Sequence, residues 1–254
     1  MKIESLKIAS ATVNHGFFGR KHGKSKGLYS SLNCSKFVGD DESLVLQNLD
    51  IIKKELEAKK LITLCQAHGS CCIVVDWQTE SDTEVDAMVT RVPGIAIGIL
   101  TADCAPILLF DKRHQAIGAI HAGWRGAVSG VIESTIQKMV ELGSDPQNIV
   151  AAVGPCIAKE SYEVDDDFKR NFRGKGDCFS LINSQLHFDL PKYCQNRLIE
   201  SGLSENNVEA VNIDTYTDQK NYFSYRFANK NNGGICGRNI SAICLGEENG
   251  NNSY

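Results

Sequence analysis

Three stretches near the middle of the chain, residues 95–100, 106–110 and 116–120, are nearly unbroken runs of Ile, Leu, Ala and Phe. Short runs without a polar face predict strands buried on both sides. Upstream the period changes. Leu44, Val45, Leu49, Ile52 and Leu56 recur at helical spacing and predict an amphipathic helix over 41–60. Residues 61–65 and 71–76 read as two strands around a loop, and 86–90 as a short connection to the first buried strand. Residues 1–40 read as strands and loops punctuated by glycines.

Downstream, Val128, Val131, Ile132, Thr135, Ile136, Met139 and Val140 form the apolar face of a helix predicted over 124–142, with Gly143 placed to stop it. A strand over 149–153, a short helix over 165–172 and a loop over 174–177 follow. Asp189 as N-cap and Pro191 in the first turn start another helix that ends near Gly202. Closing strands are predicted over 208–213, 222–225 and 240–245, with a polar turn over 229–234 and a frayed tail over 250–254. No linker or internal repeat divides residues 1–254, so a single domain is expected.

The composition is that of a globular chain, 42% hydrophobic and 23% charged. A net charge of -4 gives no electrostatic reason to expect nucleic acid or an anionic membrane as partner. No apolar run approaches the ~18 residues of a spanning helix. The first residues lack the apolar core of a signal peptide, which makes a cytoplasmic location the expectation. Ten cysteines in such a chain are expected to stay reduced, most of them as small core residues. Cys71 and Cys72 are adjacent and face opposite ways in a strand. The absence of any CxxC pair argues against a structural zinc ribbon.

Three motifs carry candidate chemistry: Gln66-Ala67-His68-Gly69, Thr101-Ala102-Asp103-Cys104 and His121-Ala122-Gly123-Trp124-Arg125-Gly126. Each places one borderline metal ligand, His68, Cys104 or His121, at an expected strand end beside small residues. Two histidines and a cysteine suit zinc or copper, and three protein ligands leave a position open for water or substrate. Taken singly, a His at a strand end is more often structural than a ligand, and a lone Cys is usually a core residue. Gly69, Ala102, Ala122 and Gly123 clear space around all three. Arg125, at the start of a helix, offers a fork for phosphate or carboxylate, or is simply solvated. Asp103, beside Cys104, is a carboxylate for proton transfer or a turn cap.

At these residues the chain resembles the bacterial laccase-domain family, also called multicopper polyphenol oxidases or peptidoglycan editing factors, which has a mammalian relative acting on purine nucleosides. The resemblance also rests on His15-Gly16-Phe17-Phe18-Gly19-Arg20, Ser31-Leu32-Asn33, Val38-Gly39-Asp40-Asp41, Asp86-Ala87-Met88-Val89-Thr90, Gly154-Pro155-Cys156-Ile157, Tyr162-Glu163-Val164 and Phe223-Ser224-Tyr225-Arg226. It implies a layered α/β fold, with mixed sheets flanked by helices. It implies zinc, with copper as an alternative, held by His68, Cys104 and His121. The implied activity is phosphorolysis of adenosine, inosine, guanosine and methylthioadenosine, plus deamination of adenosine. Arg20 matches a family arginine near the active site, and Ser31 and Asn33 match the polar loop beside it.

For phosphorolysis, Arg20, Arg125 and the helix start are the phosphate candidates. For deamination, Asp103 would move the proton. The usual Arg-Asp-Gly turn is replaced here by Phe227-Ala228-Asn229, and the stretch after Arg20 also departs, which leaves substrate preference to divergent loops. Two rival classes stand beside this reading. One is a cysteine hydrolase or peptidoglycan-precursor amidase with Cys104 as nucleophile and His121 as base. The other, ranked third, is a copper phenol oxidase, for which six histidines are few. A non-catalytic binding module is the fallback.

Overall fold

Along residues 105–111 successive side chains enter two different cores. Ile107 and Leu109 join one cluster, Leu108 and Phe110 another. Residues 95–101 behave alike: Ile95, Ile97 and Ile99 face that second cluster, Ala96 and Leu100 a third. Side chains of a strand alternate between faces, so each run must lie between two layers. All three central runs are buried throughout.

The computed structural model describes residues 2–246 apart from Leu6, Arg173 and Lys175; the tail expected at 250–254 lies outside them. In chain order the elements are β1 (Lys2–Ile3), β2 (Val13–Phe18), α1 (Glu42–Glu55), β3 (Lys60–Thr63), β4 (Cys72–Val74), β5 (Ala87–Thr90), β6 (Ile95–Thr101), β7 (Ala105–Asp111), β8 (Ala116–Ala122), α2 (Trp124–Ser129), α3 (Val131–Glu141), β9 (Ile149–Val153), β10 (Glu163–Val164), α4 (Asp166–Lys169), β11 (Phe179–Ile182), β12 (Gln185–Phe188), α5 (Leu190–Glu200), β13 (Val208–Ala210), α6 (Tyr225–Asn231) and β14 (Asn239–Leu245).

They build a five-stranded sheet in the order β1-β2-β14-β6-β3 and a six-stranded sheet in the order β13-β9-β7-β8-β5-β4. Both are mixed: β3 runs parallel to β6, β13 to β9 and β4 to β5, while the other pairs are antiparallel. The two sheets face each other across Phe17, Ile62, Ile97, Leu108, Phe110 and Ile117. Ile52 and Leu56 of α1 cover the outer face of the first. Ile132, Ile136 and Met139 of α3, with Cys194 and Leu198 of α5, cover the outer face of the second. The result is the expected layered α/β fold: helix, sheet, sheet, helices.

Several predicted elements differ, each for a local reason. The helix expected over 124–142 is two helices, because Gly130 adopts φ 97° and closes α2. The helix expected to reach residue 60 stops at Glu55, and Glu57 turns the chain at φ 53°. Residues 87–90 are not a connection but strand β5, paired with β4 and β8. The strand expected over 222–225 is absent: Ser224 instead caps α6, its hydroxyl accepting from the Phe227 N–H at 3.1 Å. The hairpin β11–β12 was unforeseen. Asn183 and Ser184 both take positive φ (49° and 64°), the signature of a two-residue type I′ turn.

Candidate metal centre

The register of the six-stranded sheet assembles this site. His121, next to last in β8, stands opposite Pro106 of β7, just past the turn that carries Cys104. On the other side, its N–H donates to the Asp86 carbonyl at 2.8 Å, one step beyond the β5 pairing. His68 comes from the other sheet, on the loop that follows β3. The three motifs converge: their ligand atoms lie within 4.8 Å of one another. The two imidazoles meet edge to face, centroids 4.7 Å apart. His121 is buried, Cys104 half-buried and His68 exposed, so the cluster opens to one side.

Asp86 organises both histidines. Its carboxylate accepts from the backbone N–H of Ala67, His68 and Gly69 at 3.3, 2.9 and 2.6 Å. His68 sits at φ 59°, a left-handed conformation that aims successive amides at one anion. The His121 Nδ1 lies 2.7 Å from the same carboxylate, which leaves Nε2 for a metal. Burial pushes the Asp86 carboxyl up, but His121 and the Gly69 and His68 amides outweigh it and hold it below the usual range. Burial pushes His121 down, but Cys104 and Asp86 outweigh it and raise its pKa to about 9. His68 is lowered by burial and by the positive neighbours His121, Arg125 and Arg238, against Asp86.

Cys104 is placed by the residue before it. Asp103 stands at φ 89° and is almost fully buried. Its carboxylate accepts from the Thr215 hydroxyl at 2.8 Å and the Arg226 N–H at 2.6 Å, and its carbonyl accepts from the Ile157 N–H at 2.9 Å. The Cys104 turn is thereby tied to α6 and to the loop after β9. Burial raises the Asp103 pKa against these donors. Gln66 secures the His68 loop, its amide pairing with both backbone groups of Leu100 at 2.6 and 2.8 Å.

The donor set fits a borderline metal. Tetrahedral zinc with one thiolate and two imidazoles sets ligand atoms about 3.4 Å apart, a spacing that this cluster encloses. Gly123 provides the clearance: a Cβ there would lie 2.5 Å from His68 Nδ1 and 3.1 Å from Cys104 Sγ. Two cavities meet at Cys104. One, of about 490 Å³, holds His68, Cys104 and His121 together with Phe37, Tyr225 and Arg238. The other, of about 360 Å³, is lined by Asp103, Cys104, Trp124, Tyr162, Tyr225 and Arg226 among others.

Residues 14–246 match the model of the multi-copper polyphenol oxidoreductase laccase family. The chain belongs to this family. It is 32% identical over 241 residues to a purine nucleoside phosphorylase of Bacteroides thetaiotaomicron, covering 88% of this chain and 89% of that protein. It is 29% identical over 253 residues to adenosine deaminase RL5 of an unknown prokaryote, covering 92% and 96%. Among solved structures, Bacillus licheniformis YfiH superposes with a TM-score of 0.86 at 25% identity over 92% of both chains. Neisseria meningitidis NMB0706 does so with a TM-score of 0.83 at 27% identity, over 97% and 99%.

In this laccase-family chain the remaining expected residues are dispersed. Arg20 is partly buried; its Nε donates to the Ser30 carbonyl at 2.7 Å, its NH1 to the Gln219 carbonyl at 3.2 Å, and its guanidinium lies 4.2 Å from the Phe223 ring centre. It lines neither cavity. Asn33 is buried, its amide donating to Asp40 and the Ser35 carbonyl and accepting from the Arg238 N–H at 2.9 Å. Arg125 is exposed, lies over Trp124 at 4.6 Å, and starts a helix of only six residues, too short for a strong dipole. Sequence reasoning missed Asp86, Phe37, Tyr225 and Arg238. The first and third stood inside quoted motifs, but their roles depend on partners far along the chain. No helix in the described residues is long and apolar enough to cross a membrane.

Proposed function

We propose that this chain is a zinc-dependent purine nucleoside enzyme, phosphorolysing adenosine, inosine, guanosine and methylthioadenosine and deaminating adenosine. The observation that carries it is the His68–Cys104–His121 cluster, open on one side into a cavity large enough for a nucleoside. The names of its relatives, purine nucleoside phosphorylase and adenosine deaminase, support the same substrate class. Zinc, when bound, supplies Lewis acidity and activates water near neutral pH.

The chain's own residues do the rest. Cys104 as thiolate and the two imidazoles hold the ion, with Asp86 fixing the His121 tautomer and the His68 loop. Asp103, whose carboxyl is pushed upward by burial, is the group we assign to pass a proton to the leaving group. Arg238, on the wall of the ligand cavity, joins the phosphate candidates in place of Arg20, and Arg125, exposed near the start of α2, adds positive charge felt at His68.

The test is product analysis by mass spectrometry with adenosine, inosine and methylthioadenosine, with and without phosphate. The expected products are phosphate-dependent free base with ribose-1-phosphate, and inosine from adenosine. Cys104→Ala should lose bound zinc and both reactions. No turnover by the zinc-loaded protein, or full turnover by a zinc-free Cys104→Ala variant, overturns the proposal.

One observation favours a second reading. Cys104, His121 and Asp86 form a thiol–imidazole–carboxylate chain, the arrangement of a cysteine hydrolase. That reading predicts a stable acyl adduct on Cys104 and activity that survives chelation of zinc.

A further inference from the structure

Exposed aromatic rings scattered over a surface need no explanation, but two rings on the wall of one cavity beside three metal-ligand candidates are a different matter. Phe37 is 59% exposed and Tyr225 49% exposed, and both line the cavity that holds His68, Cys104 and His121. The backbone that carries each of them is fixed by hydrogen bonds. Phe37 lies in a tight turn, residues 36–38, where its N–H donates to Ser35 Oγ at 3.3 Å and the Val38 carbonyl accepts from the Tyr29 hydroxyl at 2.7 Å. Tyr225 opens α6, whose cap is Ser224. Its ring is backed by Gly234, at φ 85°, where a Cβ would come within 3.4 Å of it, and by the Arg238 guanidinium 5.9 Å from the ring centre.

We infer that Phe37 and Tyr225 form the platform on which the purine base stacks, so that specificity is for a flat heteroaromatic ring rather than for its exocyclic groups. The inference rests on the nucleoside reading above. Stacking is tolerant of base identity because every base presents a π-face. A platform of this kind admits adenine and hypoxanthine alike, which a set of fixed hydrogen bonds would not. Tyr225 also borders the second cavity, so its loss opens the wall between the two and has the larger effect.

The experiment is equilibrium dialysis of radiolabelled inosine and guanosine, which the proposed deamination does not consume, against the zinc-loaded protein in phosphate-free buffer, alongside steady-state kinetics and zinc content. Tyr225→Ala should weaken binding of both nucleosides about ten- to hundredfold and by the same factor for each. Phe37→Ala should show a smaller loss of the same kind. Tyr225→Phe and Phe37→Trp should restore binding, zinc content should hold, and the change should fall on KM with kcat within about threefold. Wild-type affinity in both alanine variants, or a loss confined to one of the two nucleosides, overturns the platform. Nucleoside binding that the alanine variants weaken, without turnover by the wild type, overturns the enzyme reading and leaves the platform standing. No binding by the wild type overturns both.

Discussion

Asp86 and Asp103 flank the same cluster and are both buried, yet their surroundings drive them apart. Asp86 receives three backbone N–H groups and an imidazole, and its carboxyl is held below the usual range. Asp103 receives the Arg226 amide and the hydroxyls of Thr215 and Ser224, too little to offset its burial, and its carboxyl is raised. Donor count against depth decides whether a buried carboxylate keeps its charge. The same residue type is therefore held toward its charged form beside the two histidines and pushed toward its neutral form beside Cys104.

The largest effect expected from breaking this contrast is on turnover. Asp103→Asn keeps the shape and its acceptor oxygen but removes the titrating group. If Asp103 carries the proton, kcat should fall by about 10² to 10⁴ while zinc content and Tm stay close to wild type. Unchanged kcat would reduce Asp103 to a tie that holds the Cys104 turn.

Asp86→Ala acts on the other half of the comparison. It leaves three amides without their acceptor and His121 without its orienting partner, and zinc affinity should drop about ten- to hundredfold. Competition with a chromogenic chelator measures this, and wild-type zinc affinity would contradict the role assigned to Asp86.

The smallest effect is a pH dependence in chelator-treated protein. The folded pKa of His121, about 9, lies above its ordinary value of 6.5, so its contribution is fully present below about pH 6.5. That contribution is lost as pH rises through 9. Asp86 behaves oppositely: its folded pKa is depressed, so its contribution is present above about pH 3.9 and lost as pH falls through the folded value. Tm should therefore decline from pH 6.5 to 9.5, and His121→Asn should flatten that limb. A level wild-type Tm over this range would show that the His121–Asp86–Cys104 coupling is weak.

What the sequence disclosed follows the range of the physics behind it. β6, β7 and β8 were legible because burial on both faces leaves no polar residues to confuse the pattern. His68, Cys104 and His121 were legible as ligand types, and the small residues beside them hinted at clearance that Gly123 indeed supplies. Asp86 was not, because its function comes from strand register and from a loop some twenty residues upstream. The break at Gly130 was hidden by an apolar face that continues in phase across it. Phe37 and Tyr225 look like core residues in sequence; only the fold leaves them facing a cavity. Arg20 carried a motif match, but it lines neither cavity, and two of its N–H groups tie the Ser30 and Gln219 carbonyls instead.

The turn bearing Cys104 is where the chain passes from one sheet to the other, with His68 following a strand of the first and His121 inside a strand of the second. An ion held by all three is therefore a clasp between the two halves of the sandwich. Its occupancy is worth RT ln(1 + [metal]/Kd), about 2.7 kcal/mol at a hundredfold excess over Kd. A protein that carries such an ion would be less stable, and more open to proteolysis, where that metal is scarce.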